Sequence, residues 1–219
     1  MNVIELRNYL LKPGTRDEFI QYFKDHFADS QHDMGVYTPG LFRIKNEENR
    51  FFWIRGFDNM EQRSQFLPAF YGGKVWKEFG PAANEMMLEW HNVYLLKPLP
   101  GNKEAFSQNK SFFVIDYYKT KDNQRSKLID FFNKDYIPFL NKQNIKPITL
   151  WISEMTENDF PRLPVYQDEN LLIVITGFNN EAEYESTLHQ LTISIPQFDG
   201  SMEEWTDNRD KLLLYSVGV

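Results

Sequence analysis

The chain reads as an α+β protein: a tandem duplication of a ferredoxin-like βαββαβ unit that folds into an intramolecular α+β barrel. Two observations predict this. Arg55-Gly56-Phe57-Asp58-Asn59-Met60-Glu61 returns as Thr176-Gly177-Phe178-Asn179-Asn180-Glu181-Ala182, an offset of 177 − 56 = 121 residues. Each copy follows an apolar run and precedes a polar, helix-like segment, as expected of two fused half-size domains in 219 residues. In addition, each half runs strand, helix, strand, strand, helix, strand when read by periodicity and turn residues. A four-stranded sheet with helices on one face leaves its other face bare, and stacking two such sheets buries both.

In the first half, Val3 to Leu11 is rich in branched and aromatic residues and stops at the turn Lys12-Pro13-Gly14. Thr15-x-x-Glu18 reads as a capping box, and Phe19, Phe23 and Phe27 form the buried stripe of a helix ending near Gly35. Leu41 to Ile44 and Phe51 to Phe57 pair as strands across the polar turn Lys45 to Arg50. A helical region then breaks at Phe70-Tyr71-Gly72-Gly73 and resumes from Pro81 to Glu89, and Val93 to Leu96 closes the unit.

The polar stretch around Pro100-Gly101 makes residues 99–110 a linker between a first repeat, 1–98, and a diverged second repeat, 111–219. There Phe112 to Tyr118 is a strand and Gln124 to Asn141 a helix; Ile148 to Ser153 and Leu171 to Phe178 are the middle strands. Glu181 to Leu191 is a helix and Leu212 to Val217 the last strand. Phe19 corresponds to Leu128, an offset of 128 − 19 = 109. The difference, 121 − 109 = 12, requires an insertion between the middle strands, and Met155 to Asn170, with Pro161 and Pro164, is its place.

Composition narrows the partners. Formal charge is 24 − 31 = −7 with pI about 5.2 and no run of five like charges, which speaks against a nucleic acid or a membrane surface. The absence of cysteine excludes disulfides, thiolate metal sites and a cysteine nucleophile. No signal-peptide pattern and no apolar run of membrane-spanning length occur, so a cytoplasmic protein is expected. His26, His32, His91 and His189 lack metal-ligand spacing, and there is no nucleophile elbow, phosphate loop or dinucleotide fingerprint. Hydrolases, kinases and nicotinamide enzymes are disfavoured, and neither a metal nor a cofactor is expected. Homo-oligomerisation is left open.

Strand alternation puts Glu5, Arg7 and Tyr9 on one face and Ile4, Leu6 and Leu10 on the other. The apolar set is the better match for helices, so the polar trio is expected inside the barrel, with Trp53 and Arg55 beside it. Asp116 and Tyr118 arrive from the second copy, and Tyr94 and Tyr215 lie near. Arginine forks and flat aromatic walls suit an anionic or enolic aromatic ligand. The alternative is structural: Arg7 or Arg55 pairs with Asp116 or Glu5 and ties the sheets together, serving register more than stability. Tyr71 and Trp76 flank the helix break, which is either a lid over the barrel mouth or a bend around the sheet.

Several ordered motifs in residues 3 to 98 carry a family resemblance. Glu5-Leu6-Arg7-x-Tyr9 with Lys12-Pro13-Gly14, Phe52-Trp53-Ile54-Arg55-Gly56-Phe57 with Met60 and Arg63, and Phe70-Tyr71-Gly72-Gly73-Lys74-Val75-Trp76-Lys77 are three. Ala82-Ala83-Asn84 with Met87 and the closing Asn92-Val93-x-Leu95-Leu96 complete the set. Together they resemble the NIPSNAP family of the dimeric α/β-barrel superfamily, although Lys74 stands where that family usually has proline. The second half keeps Gly177-Phe178 but has Asp116 for Arg7, Val174 for Trp53 and Thr176 for Arg55, so the first half is expected to supply most of any site.

The resemblance implies the barrel fold and, from related barrels, cofactor-free monooxygenases of aromatic polyketides, haem-degrading enzymes and binding or dehydrating proteins. Fold alone selects none of these. The expectation is a small aromatic or anionic ligand in the barrel interior. In a cofactor-independent oxygenation Arg7 and Arg55 would hold an enolate, Trp53 and Tyr9 would wall it and Asn84 would assist. A non-catalytic binding or assembly module is the alternative.

Overall fold

The computed structural model describes residues 1–100, 106, 110–143, 145, 148–194 and 196–218. Most of the expected linker at 99–110 lies outside these. The elements in order are β1 (Val3–Leu11), α1 (Arg16–Phe23), a π turn (Lys24–Ala28), α2 (Asp29–Asp33), β2 (Tyr37–Ile44), β3 (Arg50–Phe57), α3 (Met60–Gly72), α4 (Lys74–Met86), β4 (Met87–Glu89) and β5 (Val93–Pro98). The second half has β6 (Phe112–Thr120), α5 (Arg125–Phe131), a π turn (Phe132–Tyr136), α6 (Ile137–Lys142), β7 (Ile148–Ser153), β8 (Leu171–Phe178), α7 (Glu181–Ser194), α8 (Pro196–Trp205) and β9 (Thr206–Ser216). Strand order is β3-β2-β9-β6-β8-β7-β5-β1-β4, and β1 also pairs with β3, so eight antiparallel strands close a barrel and β4 extends from β1.

The two halves agree in strand register, turn and helix cap. In the first copy Val3 faces Phe57, Glu5 faces Arg55 and Arg7 faces Trp53; in the second, Phe112 faces Phe178, Val114 faces Thr176 and Asp116 faces Val174. The β1–α1 turn places Gly14 at φ 80°, and its counterpart 123 − 14 = 109 residues on is Asn123 at φ 63°, the non-glycine type that best tolerates that region. Asn59 Oδ1 accepts from Gln62 N to start α3, and Asn180 Oδ1 accepts from Glu183 N to start α7. The shared Gly56 and Gly177 leave room for a side chain crossing them: a Cβ would press on the Met1 sulfur in one and the Phe113 ring in the other. The β2–β3 loop has five residues, 45–49, and the β7–β8 loop seventeen, 154–170, and 17 − 5 = 12 is the inferred insertion.

Local readings failed in four places. Thr15 makes no capping box; its hydroxyl donates to Lys12 O at 2.9 Å and takes part in the turn instead. The fourth helix starts at Lys74, directly after the break, and residues 87–89 are strand because Met87 and Glu89 pair with Leu11 and Leu10 of β1. Helix α8 has no counterpart among the expected elements, which leave residues 192–211 unassigned. Strand β9 begins at Thr206, well before the expected Leu212.

Two compact units result. One comprises residues 1–97, 153–167 and 214–219, the other 98–152 and 168–213. The insertion thus packs with the first unit, where Leu163 joins the core and Phe160 and Val165 lie against it. That core is an aromatic stack between β1–β3 and the helices: Phe23 lies 4.7 Å from Trp53 and Phe19 lies 5.2 Å from Phe51. Each large side chain buried this way contributes about 1.5–3 kcal/mol.

Candidate functional site

In the first unit the residues singled out by motif converge, but beneath the helices. Tyr9 contacts Phe19 of α1, Trp53 contacts Phe23, and the Arg55 guanidinium lies over Phe66 and Tyr71 of α3. The expected inward orientation of Glu5, Arg7, Tyr9, Trp53 and Arg55 is therefore corrected: they occupy the helix-facing side of the sheet, and Ile4, Leu6 and Phe52 alternate to the other. A closed barrel fills its interior with aliphatic and aromatic side chains, so polarity does not mark the inward face. The sheet–helix layer is where a helix can supply polar partners.

At its centre is Glu5, with no solvent exposure. Its Oε2 accepts from Arg7 Nη1 (2.7 Å) and Arg55 Nε (2.9 Å), and its Oε1 accepts from Arg63 Nε (2.8 Å). All three arginines are fully buried. Burial alone would raise the Glu5 pKa, but Arg55, Arg7 and Arg63 around it hold the carboxyl far below the usual range. Arg7 Nε also donates to Tyr9 OH at 2.8 Å, and burial keeps that phenol protonated. From the insertion, Asn158 Oδ1 accepts from Arg63 Nη1 at 3.0 Å, Asp159 lies 3.6 Å from it, and Phe160 stacks on Tyr71 at 5.8 Å. Arg63, which the sequence marks only through its motif, is thus a full member of the cluster, and the insertion caps it.

Beside the cluster is a cavity of about 30 Å³ touching Tyr9, Phe23, Trp53, Arg55, Tyr71 and Trp76. Trp76 packs on Phe27, Phe70 and Tyr71, so the Gly72-Gly73 break is a corner that folds α4 onto this core, as the bend reading expects. Asn84 is exposed and outside the site.

The second unit has an equivalent cavity of about 400 Å³. The correspondence is residue by residue. Tyr118, Phe132, Tyr136 and Leu140 stand 109 residues after Tyr9, Phe23, Phe27 and Gln31, while Val174, Thr176 and Leu191 stand 121 after Trp53, Arg55 and Phe70. Val174 and Thr176 are far smaller than Trp53 and Arg55, Val114 replaces Glu5, and the space these side chains fill in the first copy is left open in the second. The larger cavity therefore lies in the half from which least was expected.

Its walls include the apolar side chains of Val114, Phe132, Ile148, Val174, Phe178 and Met202; its charged groups are on β6 and β9, and Thr176 of β8 and Tyr184 and Thr187 of α7 add further polar groups. Asp116 Oδ1 is 3.4 Å from Lys211 Nζ, and the Arg209 guanidinium lies 5.0 Å from the Tyr118 ring centroid. Burial pushes the Asp116 carboxyl above its ordinary value, only partly offset by Lys211 and Arg209. Tyr118 is likewise raised by burial, with Asp116 adding to it. Arg209, Lys211 and Leu188 are exposed, which puts the opening on their side. Neither arginine of the first copy pairs with Asp116: Arg7 and Arg55 meet Glu5, and Asp116 meets Lys211. Arg209, Lys211 and Met202 escaped the sequence reading because they sit on the missed α8 and the missed start of β9. The two copies correspond there as well: Lys121 N donates to Trp205 O as Lys12 N does to Met86 O.

Among the described residues no group of histidine and acidic side chains could hold a metal, and no helix is long and apolar enough to cross a membrane.

Comparison with known proteins agrees with this architecture. Residues 4–100 match the NIPSNAP family. No curated protein sequence matches the chain. Over 99% of its length the chain is similar to the crystal structure of a candidate monooxygenase from Lactobacillus acidophilus, at 14% identity, 94% coverage of that chain and a TM-score of 0.63. A candidate monooxygenase from Fusobacterium nucleatum gives 10% identity, 99% and 92% coverage and a TM-score of 0.65. An anthrone oxidase-like protein gives 9% identity, the same coverages and a TM-score of 0.56. At such identities the likeness is one of fold. Residues 4–100 thus match the NIPSNAP family, within a chain that has the α/β-barrel fold over nearly its whole length.

Proposed function

We propose that the protein binds a small amphipathic anion, an aromatic carboxylate, phenolate or enolate, in the cavity of its second half. The observation that carries this is the cavity itself: about 400 Å³, within the range of small-molecule sites, with mostly apolar walls and its charged groups on β6 and β9. Two exposed cations, Arg209 and Lys211, face one carboxylate, Asp116, so the lining carries a formal excess of 2 − 1 = +1. A flat apolar body fits the walls and its anionic group meets Arg209 and Lys211 at the mouth.

The test is a fluorescence titration with 1-anilinonaphthalene-8-sulfonate, an aromatic monoanion, in the native protein and in Val174→Trp. Val174→Trp restores at this position the ring that fills the first copy. The expected result is saturable binding in the native protein that weakens at least about tenfold, equivalent to about 1.4 kcal/mol, in the folded variant. Equal binding by both proteins would refute the assignment.

Oxygenation is a second reading, favoured by Asp116. A carboxyl with a raised pKa, set in an apolar cavity, is placed to take a proton from an acidic C–H. The carbanion of an anthrone-type substrate then reduces molecular oxygen itself. The CH2 carbon becomes a carbonyl, one oxygen atom stays in the product and the other leaves as water, so no external reductant is needed. Candidate monooxygenases and an anthrone oxidase-like protein among proteins of similar fold accord with this chemistry. Oxygen uptake with dithranol above its spontaneous rate, lost in Asp116→Asn while probe binding persists, supports it. Binding without uptake leaves a non-catalytic module.

A further inference from the structure

We infer that the first-half cluster holds a small inorganic monoanion of halide size in the cavity beside Arg55 and Trp53. The inference is independent of the ligand cavity in the second half.

It begins with charge. Arg7, Arg55 and Arg63 bring +3, all fully buried; Glu5 and Asp159 bring −2, and the sum is +1. Tyr9 stays a neutral phenol because burial opposes its ionisation. An unbalanced guanidinium out of water costs several kcal/mol, and a guanidinium cannot shed its proton to escape that cost. Asp159 is a weak partner, at 3.6 Å and with 43% of its side chain exposed.

Hydrogen bonding points to the same place. The Nη2 atoms of all three arginines and Nε1 of Trp53 are buried and lack hydrogen-bond acceptors. Arg55 Nη2 touches Glu5 Oε2 at 2.7 Å as an ion pair, off the hydrogen-bonding direction. Arg55 and Trp53 both line the cavity of about 30 Å³. That is room for one or two water-sized species and far too little for an aromatic ligand. A monoanion accepts from donors of this kind and cancels the excess, whereas a water molecule leaves the charge in place.

The second copy supplies an internal control. Its equivalents of Glu5, Arg7, Trp53, Arg55 and Arg63 are Val114, Asp116, Val174, Thr176 and Tyr184, and the buried cationic cluster is gone.

The probe is bromide, introduced by replacing gluconate at constant ionic strength. Native protein should melt higher as bromide increases, linearly in the logarithm of its concentration once the site is filled. Arg55→Gln should lose that dependence. A crystal grown in low bromide should give one strong anomalous peak against Arg55 and Trp53. If Arg55→Gln fails to fold, the anomalous map of the native protein decides alone. A cavity empty of bromide or holding only water, or a melting point indifferent to bromide, overturns the inference.

Discussion

Replacing Glu5 by glutamine tests how the first half is held together. The side chain keeps its shape, but the three buried guanidiniums lose the carboxylate that each of them touches, at 2.7 to 2.8 Å. Removing one partner of a buried ion pair destabilises by about 3–5 kcal/mol, and here one partner serves three. For a chain of this size about 1 kcal/mol moves the melting point by roughly 2–4 °C, so a fall of about 6–20 °C is expected. Differential scanning calorimetry against pH adds a second reading. The folded-state pKa of Glu5 is depressed, so its stabilisation is present above the unfolded carboxyl value, about 4.3, and is lost as pH falls from there toward the folded value. The gap between native protein and variant should therefore be constant from about pH 8 to 5 and narrow below about pH 4. A drop of less than about 2 °C, or a gap that widens in acid, would refute the reasoning.

Other outcomes follow from single contacts. Asp116→Asn should raise the melting point by a few degrees at pH 7, because burial raises the folded carboxyl pKa and stability is lost as pH rises through it; the gain should vanish near pH 3, as calorimetry can read. Asn158→Ala strips Arg63 Nη1 of its acceptor and should cost about 1–3 kcal/mol in chemical denaturation. Gly73→Ala would put a Cβ 2.8 Å from the Ala69 carbonyl oxygen, against backbone that cannot yield, and should destabilise by about 1 kcal/mol or more in the same assay.

How much of this was legible depends on the kind of signal. The correspondence of turns and close approaches was, because Gly56 and Gly177 serve the same close approach and Gly14 and Asn123 the same turn, and such backbone demands leave residues at fixed positions. The insertion was located by counting, yet its role over Arg63 and Tyr71 depends on long-range packing that no local pattern carries. The cluster members Glu5, Arg7, Tyr9, Trp53 and Arg55 were named on one face, and that grouping holds because strand period sets it. Which face looks toward the helices was not readable, since positions 3–7 of β1 are all buried and contrast between faces is lost. The second-half cavity is a property of absent bulk. Val174 and Thr176 look like ordinary strand residues until superposed on Trp53 and Arg55. Its cations fall in Thr206-Asp207-Asn208-Arg209-Asp210-Lys211, a run too polar to announce a strand that its neighbours nevertheless pair.

The most direct test of the central claim, that divergence emptied the second copy's pocket for a ligand, is an anomalous difference map from a crystal soaked with 4-bromobenzoate. The account predicts one bromine peak among Val174, Phe132 and Met202, with the carboxylate toward Arg209 and Lys211. Bromine density only elsewhere, or side chains closed into that space, would contradict it.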